Sequence, residues 1–114
     1  DYLAIQMRDN DREVFAVMLL DTRHRLIELL ELFFGTINSA SVHPREVAKV
    51  ALNKNAAAVI VAHNHPSGSA EPSRADILIT KRLKSALEMI DVKLLDHFVI
   101  GKGEIVSLAE RGKL

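Results

Sequence analysis

The chain has 114 residues, about the size of one ordinary domain, with 48% hydrophobic residues, 26% charged residues and no cysteine. This composition indicates a globular protein with one core, and the lack of cysteine excludes both a disulfide framework and a thiolate metal site. Lys plus Arg and Asp plus Glu each number 15, so the chain lacks the basic excess on which nonspecific nucleic-acid binding normally rests.

The first half of the chain predicts two strands and a helix. Residues 2–7 form a short mixed segment that we interpret as an edge strand. Residues 13–20 (EVFAVMLL) are apolar on both faces after the first position, as expected of a strand that is covered on both sides. Residues 25–34 resume an apolar run that fits either the second strand of a hairpin or a helix, because periodicity alone does not decide. Proline at a first helical position then predicts a helix over residues 44–52.

The second half alternates strands with one long helix. We predict a buried strand at 56–62, a Pro- and Gly-containing loop at 63–69, a helix from 72–73 to about 90, and strands at 93–100 and 105–106. Strands that alternate with two helices predict a single α/β domain over residues 1–114, with a mixed sheet in two or three layers. Lys81, Arg82 and Lys84 are interpreted as the solvated face of the long helix.

No apolar run approaches the roughly 18 residues that are needed to cross a membrane, and no signal peptide is evident. With the absence of cysteine, this pattern favours a cytoplasmic protein. The chain begins at Asp1 rather than Met, which indicates a trimmed form or a piece of a longer protein.

Two histidines lie at the point where a predicted buried strand ends. His63 and His65 are two residues apart, so both imidazoles can point into one cleft, while Pro66 and Gly68 bend the chain away. Neutral imidazole is a common zinc ligand, and a catalytic zinc usually takes three protein ligands and a water. The alternative is a pair of ordinary loop histidines.

Asp76 supplies the third candidate ligand. It lies on the same helical stripe as Ile79, Leu83 and Leu87, and a carboxylate on the core-facing side is costly unless it is paired or binds a cation. An alternative is local, because Ser73-x-x-Asp76 resembles a capping box. Capping does not explain two adjacent histidines, so the combination favours a His, His, Asp metal site.

A hydrolytic zinc also needs a group that moves protons, and Glu13 is our candidate. It is the one charged residue at the head of an otherwise apolar strand, near the end of the predicted sheet. The alternative is a surface carboxylate at a strand terminus. Position alone does not distinguish Glu13 from Glu28 or Glu31.

The remaining histidines have simpler interpretations. His97 lies in a buried-looking strand, where a core histidine is the usual finding and a supporting role beside the metal is the alternative. His43 precedes a proline and closes a loop, with substrate contact as the lesser alternative. His24 fits a turn.

The spacing of these residues resembles a known signature. His63-Asn64-His65, seven residues, Ser73, two residues and Asp76 matches the JAMM pattern His-x-His-x7-Ser-x2-Asp of JAB1/MPN-type metalloproteases. The segments EVFAVMLLD, NSASVHPREV, AAAVIVAHNHPSG and DHFVIG are similar to the bacterial RadC-type (UPF0758-like) branch, and the resemblance runs over nearly the whole chain. Asn64 stands where eukaryotic relatives more often have Ser or Thr.

The resemblance implies a cytidine-deaminase-like, three-layer α/β/α domain that carries one zinc. His63, His65 and Asp76 would be its ligands, with water as the fourth. Glu13 would activate that water and pass its proton to the leaving amine, and Ser73 would help to hold the oxyanion. RadC-type proteins often carry a helix-hairpin-helix domain before this one. This chain lacks it, so it resembles a short member or an excised C-terminal domain.

We therefore expect a zinc-dependent metallopeptidase or isopeptidase that hydrolyses an amide bond in a protein or peptide. The alternative is a DNA-repair-associated or partner-binding domain with little or no hydrolase activity. One Tyr and four Phe leave few side chains for base stacking. An inactive scaffold is a third reading, against which the intact Glu13, Ser73 and ligand set argue. The sequence leaves the substrate and the oligomeric state open.

Overall fold

The computed structural model describes residues 12–38 and 40–114, and the strand predicted over residues 2–7 lies outside these ranges. The described elements are β1 (Val14–Leu20), β2 (Leu26–Phe34), α1 (Pro44–Asn53), β3 (Ala58–Asn64), α2 (Arg74–Glu88), β4 (Lys93–Ile100) and β5 (Ile105–Ser107). The strands and helices predicted within these ranges are confirmed, but β3 extends through Asn64, so the predicted loop begins two residues later, at His65. The ambiguous run over residues 25–34 is a strand.

The five strands form one mixed sheet in the order β2-β1-β3-β4-β5. β1 is antiparallel to both β2 and β3, β3 is parallel to β4, and β4 is antiparallel to β5. The β1–β2 turn depends on Asp21, whose carboxylate accepts hydrogen bonds from the backbone N–H groups of Arg23 and Arg25. His24 lies in this turn with a φ of 61°. The predicted turn and hairpin are thus confirmed.

The larger core cluster lies on one face of the sheet. Its members come from β1, β3 and both helices and include Phe15, Val17, Leu19, Val47, Ala51, Val59, Val61, Ile79, Leu83 and Leu87. The odd-numbered β1 residues face this cluster, whereas the even-numbered ones face a smaller cluster on the opposite side. The α/β class with a mixed sheet is confirmed. Within residues 12–38 and 40–114 both helices pack on the same face, so these residues supply two of the three layers that the resemblance implies.

The topology places three chain segments at one end of the sheet. β3 ends at His63 and Asn64, and the parallel partner β4 is reached through α2, which begins near the same end. Because β1 runs antiparallel to β3, its first residues lie beside the last residues of β3, with Phe15 opposite His63. Glu13 therefore enters at the end of the sheet where the histidines lie. No helix in the described ranges is long and apolar enough to span a membrane.

We predict that Leu83→Ala lowers the free energy of unfolding by about 2–5 kcal/mol, because this side chain is fully buried in the larger cluster. Leu78→Ala is the matched control, since Leu78 lies on the same helix but is 46% exposed. Its expected effect is about 0.5 kcal/mol or less. Urea denaturation measures both variants, and equal losses would contradict the described core.

Candidate metal centre

The structure brings the three predicted ligands together. One donor atom from each of His63, His65 and Asp76 lies within 4.8 Å of the other two. His63 Nδ1 is 3.3 Å from Asp76 Oδ1, and His65 Nε2 is 3.3 Å from Asp76 Oδ2. His63 and Asp76 are each only 1% exposed, so these two members of the cluster are buried.

The donor set fits a metal ion. His63 Nδ1 is buried and makes no hydrogen bond, although a carboxylate oxygen lies 3.3 Å away. A buried polar atom without a partner costs about 1–3 kcal/mol, and a bound cation would remove that cost. Zinc takes nitrogen and oxygen ligands at about 2.0–2.2 Å in a tetrahedron, which separates neighbouring ligand atoms by about 3.3–3.5 Å. The two 3.3 Å distances from the imidazole nitrogens to the Asp76 oxygens are close to this separation.

The ring of His65 is oriented by the loop that follows it. Its Nδ1 lies 2.9 Å from the backbone oxygen of Ser69, which leaves Nε2 pointing at Asp76. Its backbone N–H donates to the carbonyl of Ile100, so the loop starts from a fixed point on β4. A hydrogen bond to the far nitrogen of a ligating histidine fixes its tautomer and ring orientation.

That loop is itself seated against the β4–β5 turn. The N–H of Lys102 donates to the carbonyl of Gly68, and the loop backbone passes directly over Gly101. A Cβ at Gly101 would lie 2.4 Å from the Gly68 oxygen and 2.8 Å from the Ala70 nitrogen, both far inside van der Waals contact. Glycine at this position therefore lets Ser69 reach His65.

Asp76 has two functions in the structure. Its Oδ2 accepts a hydrogen bond from the N–H of Ser73, and its own N–H donates to Ser73 Oγ, so the predicted capping box is present. The other carboxylate oxygen faces His63. The two interpretations of Asp76, cap and ligand, are compatible because the carboxylate has an oxygen for each.

The electrostatics hold these groups in the protonation states that a metal needs, with one exception. Burial raises the pKa of Asp76, but the His65 hydrogen bond, the nearby His63 and the Ser73 N–H outweigh it and lower this pKa to about 2. Burial lowers the pKa of the His63 imidazole. The exception is His65, whose pKa is raised by its hydrogen bond to Asp76, so a binding cation displaces a proton there.

Glu13 faces the cluster from β1. Its Oε2 is 4.0 Å from His63 Nε2 and accepts a hydrogen bond from the N–H of Ile37 at 2.6 Å. Its side chain is 29% exposed, which leaves the carboxylate open to solvent on one side. The structure thus separates it from Glu28, which pairs with Lys54, and from the exposed Glu31.

Asn64 is a residue of the site whose role the sequence analysis missed. This amide is buried; its Oδ1 accepts from the N–H of Val14 and its Nδ2 donates to the carbonyl of Arg12. The two hydrogen bonds hold the backbone on both sides of Glu13. The available signal was an amide at the end of a buried strand, between two candidate ligands.

The other histidines lie outside the cluster. The fully buried His97 makes a hydrogen bond through Nδ1 to Thr80, whose hydroxyl also donates to the Asp76 carbonyl. Burial lowers the pKa of His97 to about 3, so its ring is neutral. His43 packs edge-on against the ring of Phe33. The positions of His24 and His43 agree with their simpler interpretations. His97 is a core histidine, but its ring centroid also lies 5.9 Å from that of His63, so a supporting role beside the metal stays a prediction.

Comparison with known proteins gives a consistent match. A family model described as a RadC-like JAB domain matches residues 1–113. A UPF0758 protein from Marinomonas sp. (strain MWYL1) is 67% identical over 97% of this chain and 50% of its own length. One from Aeromonas hydrophila is 63% identical over 100% of this chain and 51% of its own, and one from Shewanella baltica (strain OS185) is 66% identical over 98% and 50%. The chain spans about half the length of these curated relatives.

We predict that the purified chain takes up about one zinc ion and that His63→Ala and Asp76→Ala each abolish this uptake, because a ligand is lost from a set of three. His24→Ala, in the exposed β1–β2 turn, is the control and should keep the metal. Elemental analysis by mass spectrometry after zinc loading and desalting measures the stoichiometry. A folded wild-type chain that takes up no zinc would contradict the site.

We also predict that Gly101→Ala weakens zinc binding about 10- to 100-fold, because the added methyl group displaces the loop that orients His65. Gly103→Ala is the matched control, since a Cβ there would meet no atom within 4 Å. Competition with a chromophoric chelator gives both affinities. Equal affinities for the two variants would show that the loop does not position His65.

Proposed function

The chain belongs to the RadC-like JAB domain family, and on that premise we propose that it is a zinc-dependent metallopeptidase or isopeptidase that hydrolyses an amide bond in a protein or peptide. The observation that carries the proposal is the close approach of a candidate metal cluster and a carboxylate. A buried His, His, Asp cluster that fits a metal lies 4.0 Å from the carboxylate of Glu13.

His63, His65 and Asp76 would hold the metal. A zinc ion in such a site lowers the pKa of a bound water to about 7 and polarises a substrate carbonyl. Zinc is preferred because imidazole nitrogen and carboxylate oxygen are ligands it accepts, while calcium and magnesium favour oxygen alone. One side of the cluster is packed by Phe15, whose ring stacks on that of His63.

Glu13 is the general base and then the general acid. Its carboxylate accepts the proton that the attacking water loses and delivers it to the nitrogen of the leaving amine. The N–H of Ile37 orients the carboxylate, and the Asn64 hydrogen bonds fix the backbone on either side. Partial exposure leaves one oxygen edge free for this exchange.

Ser73 stabilises the oxyanion that forms when the carbonyl is attacked. Its Oγ accepts a hydrogen bond from the N–H of Asp76, which uses a lone pair and leaves the hydroxyl proton free to donate. The residue is exposed and begins α2, so a substrate oxygen can reach it beside Asp76. A donor placed where negative charge develops accelerates acyl transfer by preferential stabilisation of the transition state.

We predict that Glu13→Gln keeps one zinc per chain and lowers the rate of hydrolysis about 10²- to 10⁴-fold, because the amide holds the same position without exchanging a proton. Glu31→Gln, on the exposed edge of β2, is the matched control and should keep the wild-type rate. A mixed peptide library, scored by mass spectrometry for new amino termini, supplies the substrate.

Three results of that assay would oppose the proposal in different ways. Cleavage that persists in His63→Ala would exclude the metal. Cleavage at the wild-type rate in Glu13→Gln would exclude Glu13 as the proton-transfer group. No cleavage by a zinc-loaded wild-type chain in any peptide or isopeptide mixture would remove the hydrolase assignment.

A further inference from the structure

A second concavity lies between α2 and the last residues of the chain. This groove has a volume of about 560 Å³ and is lined by residues that include Ile77, Lys81, Lys84, Lys113 and Leu114. Its size is in the range of ligand-binding sites, which span about 300–1,000 Å³. We call it the lysine groove. The metal ligands do not line it, so it is distinct from the site described above.

The charged side chains that line the lysine groove are all positive. Lys81, Lys84 and Lys113 come from two chain segments and line one space, and no carboxylate side chain lines it. In the described part of the chain none of the three forms an ion pair, whereas Arg111 pairs with Glu71 and Lys54 with Glu28. Like charges around a concavity create a positive potential that an incoming anion relieves.

The lysine groove adjoins residues that neighbour the metal cluster along the chain. A smaller depression of about 80 Å³ shares Ile77 and Lys113 with it and extends to Pro72. Ile77 directly follows the ligand Asp76, and Pro72 directly precedes Ser73. From Ile77 to Lys84 the groove follows about 10 Å of α2, the length of about three residues of extended peptide.

We propose that the lysine groove binds an acidic segment of a polypeptide, laid in extended conformation along α2. The three ammonium groups bind its carboxylates, and Ile77 and Leu114 contact its apolar side chains. A polypeptide fits better than a nucleic acid because no aromatic side chain lines the groove for base stacking and the chain has no net positive charge. Lys81 is exposed and Lys84 is half-buried, so both can reach such a segment from the solvated helix face that the sequence predicts.

That the bound segment is part of a substrate rests on the proposed hydrolase function. That the lysine groove binds such a segment does not. In that case the acidic residues lie on one side of the scissile bond, a few residues from the carbonyl that reaches Ser73. The groove would then select protein substrates by charge, which the compact metal cluster cannot do.

The test is direct binding of a fluorescein-labelled octaglutamate peptide to the zinc-loaded full chain, followed by fluorescence anisotropy near physiological salt. Lys81→Glu/Lys84→Glu should weaken binding about tenfold or more, because two attractive charges become repulsive. Lys49→Glu/Lys93→Glu is the matched control. It changes the net charge equally at exposed positions outside the groove and should shift the affinity less than about twofold.

Several outcomes would overturn the proposal. One is that the folded wild type does not bind octaglutamate at millimolar peptide. Another is that the two double variants lose equal amounts of affinity, which would indicate a diffuse charge effect. A third is that a labelled 20-nucleotide single strand binds more tightly than the peptide and that only the groove variant loses this binding. The occupant would then be a nucleic acid. Octaglutamate binding that is weakened in the groove variant alone, together with no cleavage of any peptide or isopeptide mixture by the zinc-loaded wild type, would support the groove and contradict the hydrolase.

Discussion

The carboxylate of Asp76 is the constraint on which the rest of the site depends. It is 1% exposed, and burying an ionised group is costly unless every face of it is satisfied. One oxygen caps α2 through Ser73, and the carboxylate faces both His63 and His65. The start of the long helix and the arrangement of the two imidazoles are therefore fixed by the same group, so the helix cannot shift without changing the site.

Much of this arrangement follows from local sequence. The spacing of His63, His65 and Asp76 is set by one strand end, one tight loop and one helix start, and each of these has a signal in the chain. The strands at β1, β3 and β4 are apolar runs bounded by polar turns, which makes them easy to predict. β2 was ambiguous because LIELLELFF has apolar residues at both helical and strand spacing, and only its pairing with β1 makes it a strand.

The parts that the sequence did not reveal depend on contacts between distant segments. Glu13 could not be separated from other glutamates until the antiparallel register placed Phe15 opposite His63. Gly101 matters because the backbone of another loop crosses it, and no local pattern records such an approach. The lysine groove has the same origin, since Lys113 meets the lysines of α2 only in the folded chain. Local sequence patterns predict the secondary-structure elements and the motif. The strand register and the close approach of distant backbone segments decide which of these residues come into contact.

The Asn64 hydrogen bonds to Arg12 and Val14 have a consequence for the order in which the centre is completed. All three candidate ligands lie within residues 63–76, so a chain that has formed only β3 and α2 already has them in one segment. Glu13 comes from the other end of the described chain. Its backbone is fixed when β1 pairs with β3 and Asn64 forms hydrogen bonds with Arg12 and Val14. On the proposed function, an incompletely folded chain can therefore carry metal without hydrolysing its neighbours. On that function, the pairing of β1 with β3 makes hydrolysis, but not the ligand set, depend on contact between distant segments.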